Sequence, residues 1–166
     1  MSDQSATAIA TELLYRESSA LDRRNWQQWL DLYSEESVYW VPAWRNENEQ
    51  VSDPNSEVSL IYHDSRRGLQ ERVMRVESGK SVTAMPLPRT THFITNIVAN
   101  ESAESAITVC ANFMVQLFQP QREAHYVNFG DYELTLQGHD NRWLITAKTI
   151  HLQNDLVPSL IDFYTL

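Results

Sequence analysis

The chain has 166 residues, 42% hydrophobic and 21% charged, with 4 Gly and 6 Pro; that size and mixture fit one folded domain over residues 1–166 and exclude collagen-like, low-complexity and wholly disordered classes. Its 13 Lys and Arg against 22 Asp and Glu leave a net charge of -9, the wrong sign for general nucleic-acid binding. Cys110 is the sole cysteine, which excludes an intramolecular disulfide, a CxxC pair and a multi-cysteine zinc site, and no apolar run approaches the ~20 residues that span a bilayer, so a soluble, cytoplasmic chain is expected.

Ile9, Ala10, Leu13, Leu14, Ala20 and Leu21 share one side of a 3.6-residue period, which predicts an amphipathic helix over residues 7–21 with residues 1–6 frayed ahead of it. A second helix is predicted from Asn25, an N-cap residue with Gln28 three positions on. Trp26, Trp29, Leu30 and Tyr33 then fall at i, i+3, i+4 and i+7, and two Trp on so short a helix imply a deep groove to fill. Val38-Tyr39-Trp40-Val41 reads as a strand ending at Pro42, and the polar stretch 45–55 as a surface loop after Trp44. Residues 58–62 are a short strand or a buried connector. Leu69, Val73 and Val76 mark the inner face of a third helix, whose outer face carries Arg66, Arg67, Glu71 and Arg75.

The second half is β in character. Residues 90–98 read as a strand, and 107–118 as the clearest one, with Ile107, Val109, Ala111, Phe113, Val115 and Leu117 on one buried face. In 126–137 the apolar parity is odd at Val127 and Phe129 and even at Tyr132, Leu134 and Leu136, which predicts a β-bulge at Gly130-Asp131 that curls the sheet. A turn at Gly138-His139-Asp140-Asn141 precedes a last strand over 143–152. Helices followed by a meander make an α+β fold: a curved, mostly antiparallel sheet wrapped over the N-terminal helices as a cone. Such a cone either holds a ligand pocket or is filled with side chains.

Several chemistries can be weighed on residue types. His63-Asp64 with His92 invites a metal reading, but adjacent residues of an extended chain point to opposite sides. A Rieske cluster needs two Cys and two His, so this chain cannot hold one alone. No GxSxG, GxxxxGK[ST] or GxGxxG is present, and Cys110 lies in mid-strand opposite the apolar row, as a structural thiol would. The remaining catalytic candidate is acid–base chemistry inside the cone by Asp22 with Tyr15, His92 or His125, against the ordinary use of an Asp between helices as a turn or cap residue. The run Tyr39-Trp40-Val41-Pro42-Ala43-Trp44 serves as core, pocket wall or subunit contact. The apolar segment 152–166 docks on its own core or on a neighbouring subunit.

Leu13-Leu14-Tyr15-Arg16-Glu17, Leu21-Asp22-Arg23-Arg24-Asn25-Trp26, Asp31-Leu32-Tyr33, Tyr39-Trp40-Val41-Pro42-Ala43-Trp44, Pro88-Arg89-Thr90-Thr91-His92 and Ile161-Asp162-Phe163-Tyr164 together resemble the small (beta) subunit of aromatic-ring-hydroxylating Rieske dioxygenases, in the branch acting on benzoate, anthranilate or 2-halobenzoate. The resemblance runs over nearly the whole chain. It implies the cone fold of nuclear transport factor 2, and a non-catalytic assembly subunit with neither metal nor cofactor of its own. It further implies a large (alpha) catalytic subunit holding the Rieske [2Fe-2S] cluster and a mononuclear iron, electrons from NADH through a flavin reductase, and three copies of each chain in an alpha3beta3 hexamer. Under that reading Trp40, Trp44, Ile161 and Tyr164 are the candidate subunit contacts. The other readings are a stand-alone cone-fold isomerase or dehydratase using Asp22, Tyr15 and His92, or a small-molecule carrier.

Overall fold

The computed structural model describes residues 5–80, 86–102, 105–154, 156 and 161–166. The Ser5 hydroxyl accepts a hydrogen bond from the Ala8 backbone N–H at 3.3 Å and starts helix α1 (Ala6–Asp22). Ser5 and Ala6 are therefore not frayed: one caps the helix and the other is buried, while residues 1–4 lie outside the described residues. Helix α2 (Trp26–Leu30) is shorter than its apolar spacing predicts. Tyr33 opens strand β1 (Tyr33–Pro42), because the chain turns at Leu32, whose carbonyl accepts from the Ile145 N–H at 2.8 Å. The polar stretch expected to be loop holds a small hairpin, β2 (Trp44–Asn46) with β3 (Glu49–Gln50). Residues 58–62 resolve as strand, within β4 (Ser59–His63), and helix α3 (Arg66–Glu77) buries Leu69, Val73 and Val76 as the spacing requires.

Four long strands follow: β5 (Arg89–Ser102), β6 (Ala106–Gln119), β7 (Ala124–His139) and β8 (Arg142–Leu152). With β1 and β4 they make a six-stranded sheet of order β4-β1-β8-β7-β6-β5, antiparallel except for β1 beside β8. The odd residues of β6 face inward and are buried from Ile107 to Leu117, against α1 and the inner residues of β7 and β8.

The bulge predicted at Gly130-Asp131 is absent. The β6–β7 register runs without a break from Ala106 opposite Gln137 to Gln119 opposite Ala124, and the even residues of β7 from Asn128 to Leu136 all face in. The parity seemed to flip because Asn128 is polar yet buried, and Phe129 is apolar yet exposed. Gly130 has a different purpose: a Cβ there would stand 2.0 Å from the His151 carbonyl oxygen, so only glycine lets β8 approach so closely. In the antiparallel pairings of β5 through β8 the irregularities fall elsewhere, between Thr95 and Val98 of β5, where Asn96 takes a left-handed φ of 54°, and between Thr135 and Leu136 on the β8 side of β7.

Candidate functional site

Two residues nominated for acid–base chemistry do meet. Asp22 ends α1 and His92 sits on β5, with Asp22 Oδ1 2.6 Å from His92 Nδ1. The same carboxylate accepts from the His92 backbone N–H at 2.9 Å and the Thr90 hydroxyl at 3.0 Å. Burial pushes the Asp22 carboxyl up, but these hydrogen bonds outweigh it and hold it below its usual 3.8. His92 is fully occupied as well: its side chain has 0% exposure and its Nε2 lies 3.1 Å from the Leu166 main-chain oxygen. Both ring nitrogens face oxygens of the chain itself, so the pair clamps the C-terminal turn onto the end of α1 and presents no free nitrogen to a substrate. Tyr15 projects outward, 54% exposed, and His125 stands on the outer surface of β7 with the Gln116 side chain.

Deeper in the cone, buried polar and aromatic side chains close on one another. Lys148 of β8 donates to both Glu17 oxygens at 2.8 Å, and the Trp29 indole N–H and the Tyr33 hydroxyl also donate to Glu17 Oε1. The ammonium lies 3.9 Å from the Tyr132 ring centroid. Burial drives the Lys148 ammonium below its usual range, partly offset by Glu17, and drives the Tyr33 and Tyr132 hydroxyls well above theirs. Phe163 closes this interior from the C-terminal turn (Phe163–Thr165), stacked on Trp29 at 4.6 Å and edge-on to Trp26 at 5.3 Å. The groove that two Trp demanded is thus filled by the chain's own C-terminal end.

Sequence reasoning gave Glu17 and Lys148 no role, although both were discoverable. Glu17 lies four residues after Leu13 and four before Leu21 on the buried stripe of α1, and Lys148 shares its parity with Ile150 and Leu152 on β8.

His63 is not near a metal-like set: its Nε2 accepts from Arg72 Nε at 2.7 Å, and Arg72 Nη1 donates to Asp162 Oδ1 at 2.9 Å. Among the described residues, no three His, Cys, Asp or Glu side chains gather as metal ligands would. Of the candidate contacts, Tyr164 is 3% exposed inside its own core and Ile161 is half-buried against it. Trp40 and Trp44 are half-buried, their indole N–H groups donating at 2.8 Å to Ser59 Oγ and the Leu152 carbonyl. Two open grooves of about 570 Å³ each lie on the outside, one lined by Tyr15, Arg16, Arg23 and Asn25 beside α1, the other by Glu35, Arg66 and Arg142. No helix of the described residues is long and apolar enough to cross a membrane.

Residues 16–159 match the family model described as ring hydroxylating beta subunit. The chain is 38% identical over 151 residues to the 2-halobenzoate 1,2-dioxygenase small subunit of Burkholderia cepacia, covering 91% of this chain and 90% of that one. In three dimensions it is similar to the beta subunit of the benzoate 1,2-dioxygenase from Burkholderia mallei, with a TM-score of 0.80 at 30% identity and 100% of each chain covered. A chain of naphthalene 1,2-dioxygenase, solved with indole in that enzyme's active site, matches with a TM-score of 0.76 at 19% identity, covering 95% of this chain and 86% of that one; at such identity the likeness shows the fold alone.

Proposed function

The chain belongs to the ring hydroxylating beta subunit family, and from that premise we propose that it is the assembly subunit of an aromatic-ring-hydroxylating dioxygenase acting on a benzoate-like carboxylate in aromatic catabolism, with no catalytic residue of its own. The observation that supports this division of labour is the filled cone. An isomerase, dehydratase or carrier needs an interior cavity, and here Glu17, Lys148, Tyr33, Trp29 and Phe163 occupy it while the Asp22–His92 pair holds the C-terminal turn. A body whose interior is closed by its own side chains suits a scaffold, because ordering it beforehand lowers the entropy cost of binding a partner.

The partner is a large alpha subunit carrying a Rieske [2Fe-2S] cluster and a mononuclear iron, reduced from NADH through a flavin reductase, with three of each chain in an alpha3beta3 hexamer in the cytoplasm. Relatives with 2-halobenzoate and benzoate in their names support an aromatic carboxylate as the substrate class. The test is gentle affinity purification of the chain from its native cells, with mass determination and iron and acid-labile sulfide assays. Co-recovery of a larger iron-sulfur protein at equal stoichiometry is expected. Recovery of the chain alone, iron-free and turning over a small substrate, would overturn the reading.

A further inference from the structure

The C-terminal turn, from its cap Asp162 to Leu166, sits in the cone as a ligand would and not as part of the sheet. Three of its main-chain N–H groups are used inside the turn: Asp162 donates to Thr165 Oγ1 at 3.0 Å, Phe163 to Asp162 Oδ1 at 2.8 Å and Thr165 to the Asp162 carbonyl at 2.9 Å. Among the described residues no main-chain hydrogen bond ties the turn to a strand. What it offers the rest of the chain is oxygens and rings. Side chains from three elements meet those oxygens: Arg72 Nη1 of α3 donates to Asp162 Oδ1 at 2.9 Å, Asn128 Nδ2 of β7 donates to the Thr165 carbonyl at 2.8 Å, and His92 Nε2 of β5 lies 3.1 Å from the Leu166 main-chain oxygen. The Phe163 ring, 0% exposed, lies over Trp29 at an interplanar angle of 21°, with Trp26 against its edge.

Without the turn, these groups define a site of definite chemistry. The two indoles make a slot for a flat ring. Arg72 at its side suits a carboxylate, and His63, which accepts from Arg72 Nε at 2.7 Å, holds the guanidinium in place from its other edge. An aromatic slot with a few convergent polar groups is the common pattern of a small-molecule site. The turn fills it with a ring and a carboxylate from adjacent residues, so the two are joined through a short flexible link and not directly as in benzoate. The small molecule that reproduces this pair is an arylalkanoate, an aromatic ring bearing a carboxylate on a short chain.

We propose that the cone keeps a closed binding site for an arylalkanoate, with Phe163 and Asp162 as its built-in occupant, and that ligand binding and docking of the C-terminal turn exclude each other. A tethered occupant competes at an effective concentration in the millimolar range, so a free ligand of equal intrinsic affinity displaces it only at a similar level. The site is independent of the assembly role, and its tests need no large subunit.

The first test is amide hydrogen exchange of the full wild-type chain, read by mass spectrometry on its C-terminal fragments, with phenylpropionate as the probe. A ligand that captures the undocked state speeds exchange in the turn, the opposite of the protection that binding elsewhere on the folded chain gives. Exchange over residues 162–166 is expected to rise at least threefold at ~20 mM phenylpropionate. The second test is calorimetric binding to the full-length D162A/F163A variant, from which the built-in occupant is gone. Phenylpropionate is expected to bind it at least tenfold more tightly than uncharged phenylpropanol, and the further change Arg72→Met is expected to erase that preference. If the double variant fails to fold, the exchange measurement on the wild type decides alone. Exchange in the turn that phenylpropionate slows or leaves unchanged, equal binding of acid and alcohol, or a preference for the acid that survives Arg72→Met would overturn the proposal.

Discussion

Strands β5, β6 and β7 carry two faces of opposite design. Inside, Ile107 to Leu117 of β6 pack under α1, Phe113 stacks on Tyr132 at 4.3 Å, and two buried polar groups find partners: Lys148 meets Glu17, and Asn128 donates to the Thr165 carbonyl at 2.8 Å. Outside, Phe93 and Phe129 keep about half their surface in water across a run of neutral polar residues. The inner face has spent its apolar area on folding, and the outer face has not. Dispersion and burial therefore stabilise the chain mainly through one side of the sheet. The difference teaches that a cone-shaped fold can close its interior with its own C-terminal turn while one face of the same sheet keeps apolar side chains in water.

The largest expected effect breaks the inner face. Lys148→Ala leaves the Glu17 carboxylate buried with no counter-charge and is expected to cost about 4 kcal/mol, read from urea denaturation. The double variant Glu17→Leu, Lys148→Met removes both charges and is expected to recover a large part of that loss. A double variant as damaged as the single one would show that the pair contributes more than mutual neutralisation. Next comes Phe163→Ala, which empties the space against Trp29 and Trp26 and is expected to cost about 3 kcal/mol. It also sharpens the comparison: a small hydrophobe such as benzene should stabilise this variant and leave the wild type unchanged. A wild type stabilised equally would mean that the cone already holds an open cavity.

How legible these faces were in the sequence follows from the same contrast. The alternation in β6 and the 3.6-residue stripe of α1 were read correctly because there apolar means inside. In β7 that rule fails over residues 127–129, where the outer Phe129 is apolar and exposed and the inner position is an Asn that ties down the C-terminal turn, so two exceptions side by side looked like a bulge. Asp22 and His92 could be nominated together from residue type, but not their closure by Leu166, which depends on where the chain's last turn returns after 74 residues. Glu17 and Lys148 are separated by 131 residues, and only the three-dimensional meeting of a helix stripe with a strand parity turns two misplaced charges into a pair.

The smallest predicted effect is a pH dependence at the seam between the two designs, where α3 meets β4 and the C-terminal turn. His63 is packed so tightly there that a Cβ on Gly68 would stand 2.2 Å from its Nδ1, and its Nε2 accepts the Arg72 hydrogen bond only while unprotonated. Burial first, and the Arg72 guanidinium second, hold the imidazole below its usual 6.5, against the weaker opposing pull of Glu71, Asp162 and Asp64. The unfolded chain thus takes up the proton more readily than the folded one. The stabilisation from neutral His63 is complete above pH 6.5 and is lost as the pH falls through the lower folded value. Unfolding midpoints in urea are expected to drop between about pH 7.5 and about pH 5.5, by less than the Phe163→Ala loss. His63→Gln, which keeps an acceptor for Arg72 without a titrating nitrogen, is expected to flatten that drop. Asp22 is separable because its lowered value places its loss of stabilisation at more acid pH, below 3.8. An equally steep drop in the His63→Gln variant would assign the dependence to other groups and leave Arg72 bridging β4 and Asp162 with no part in it.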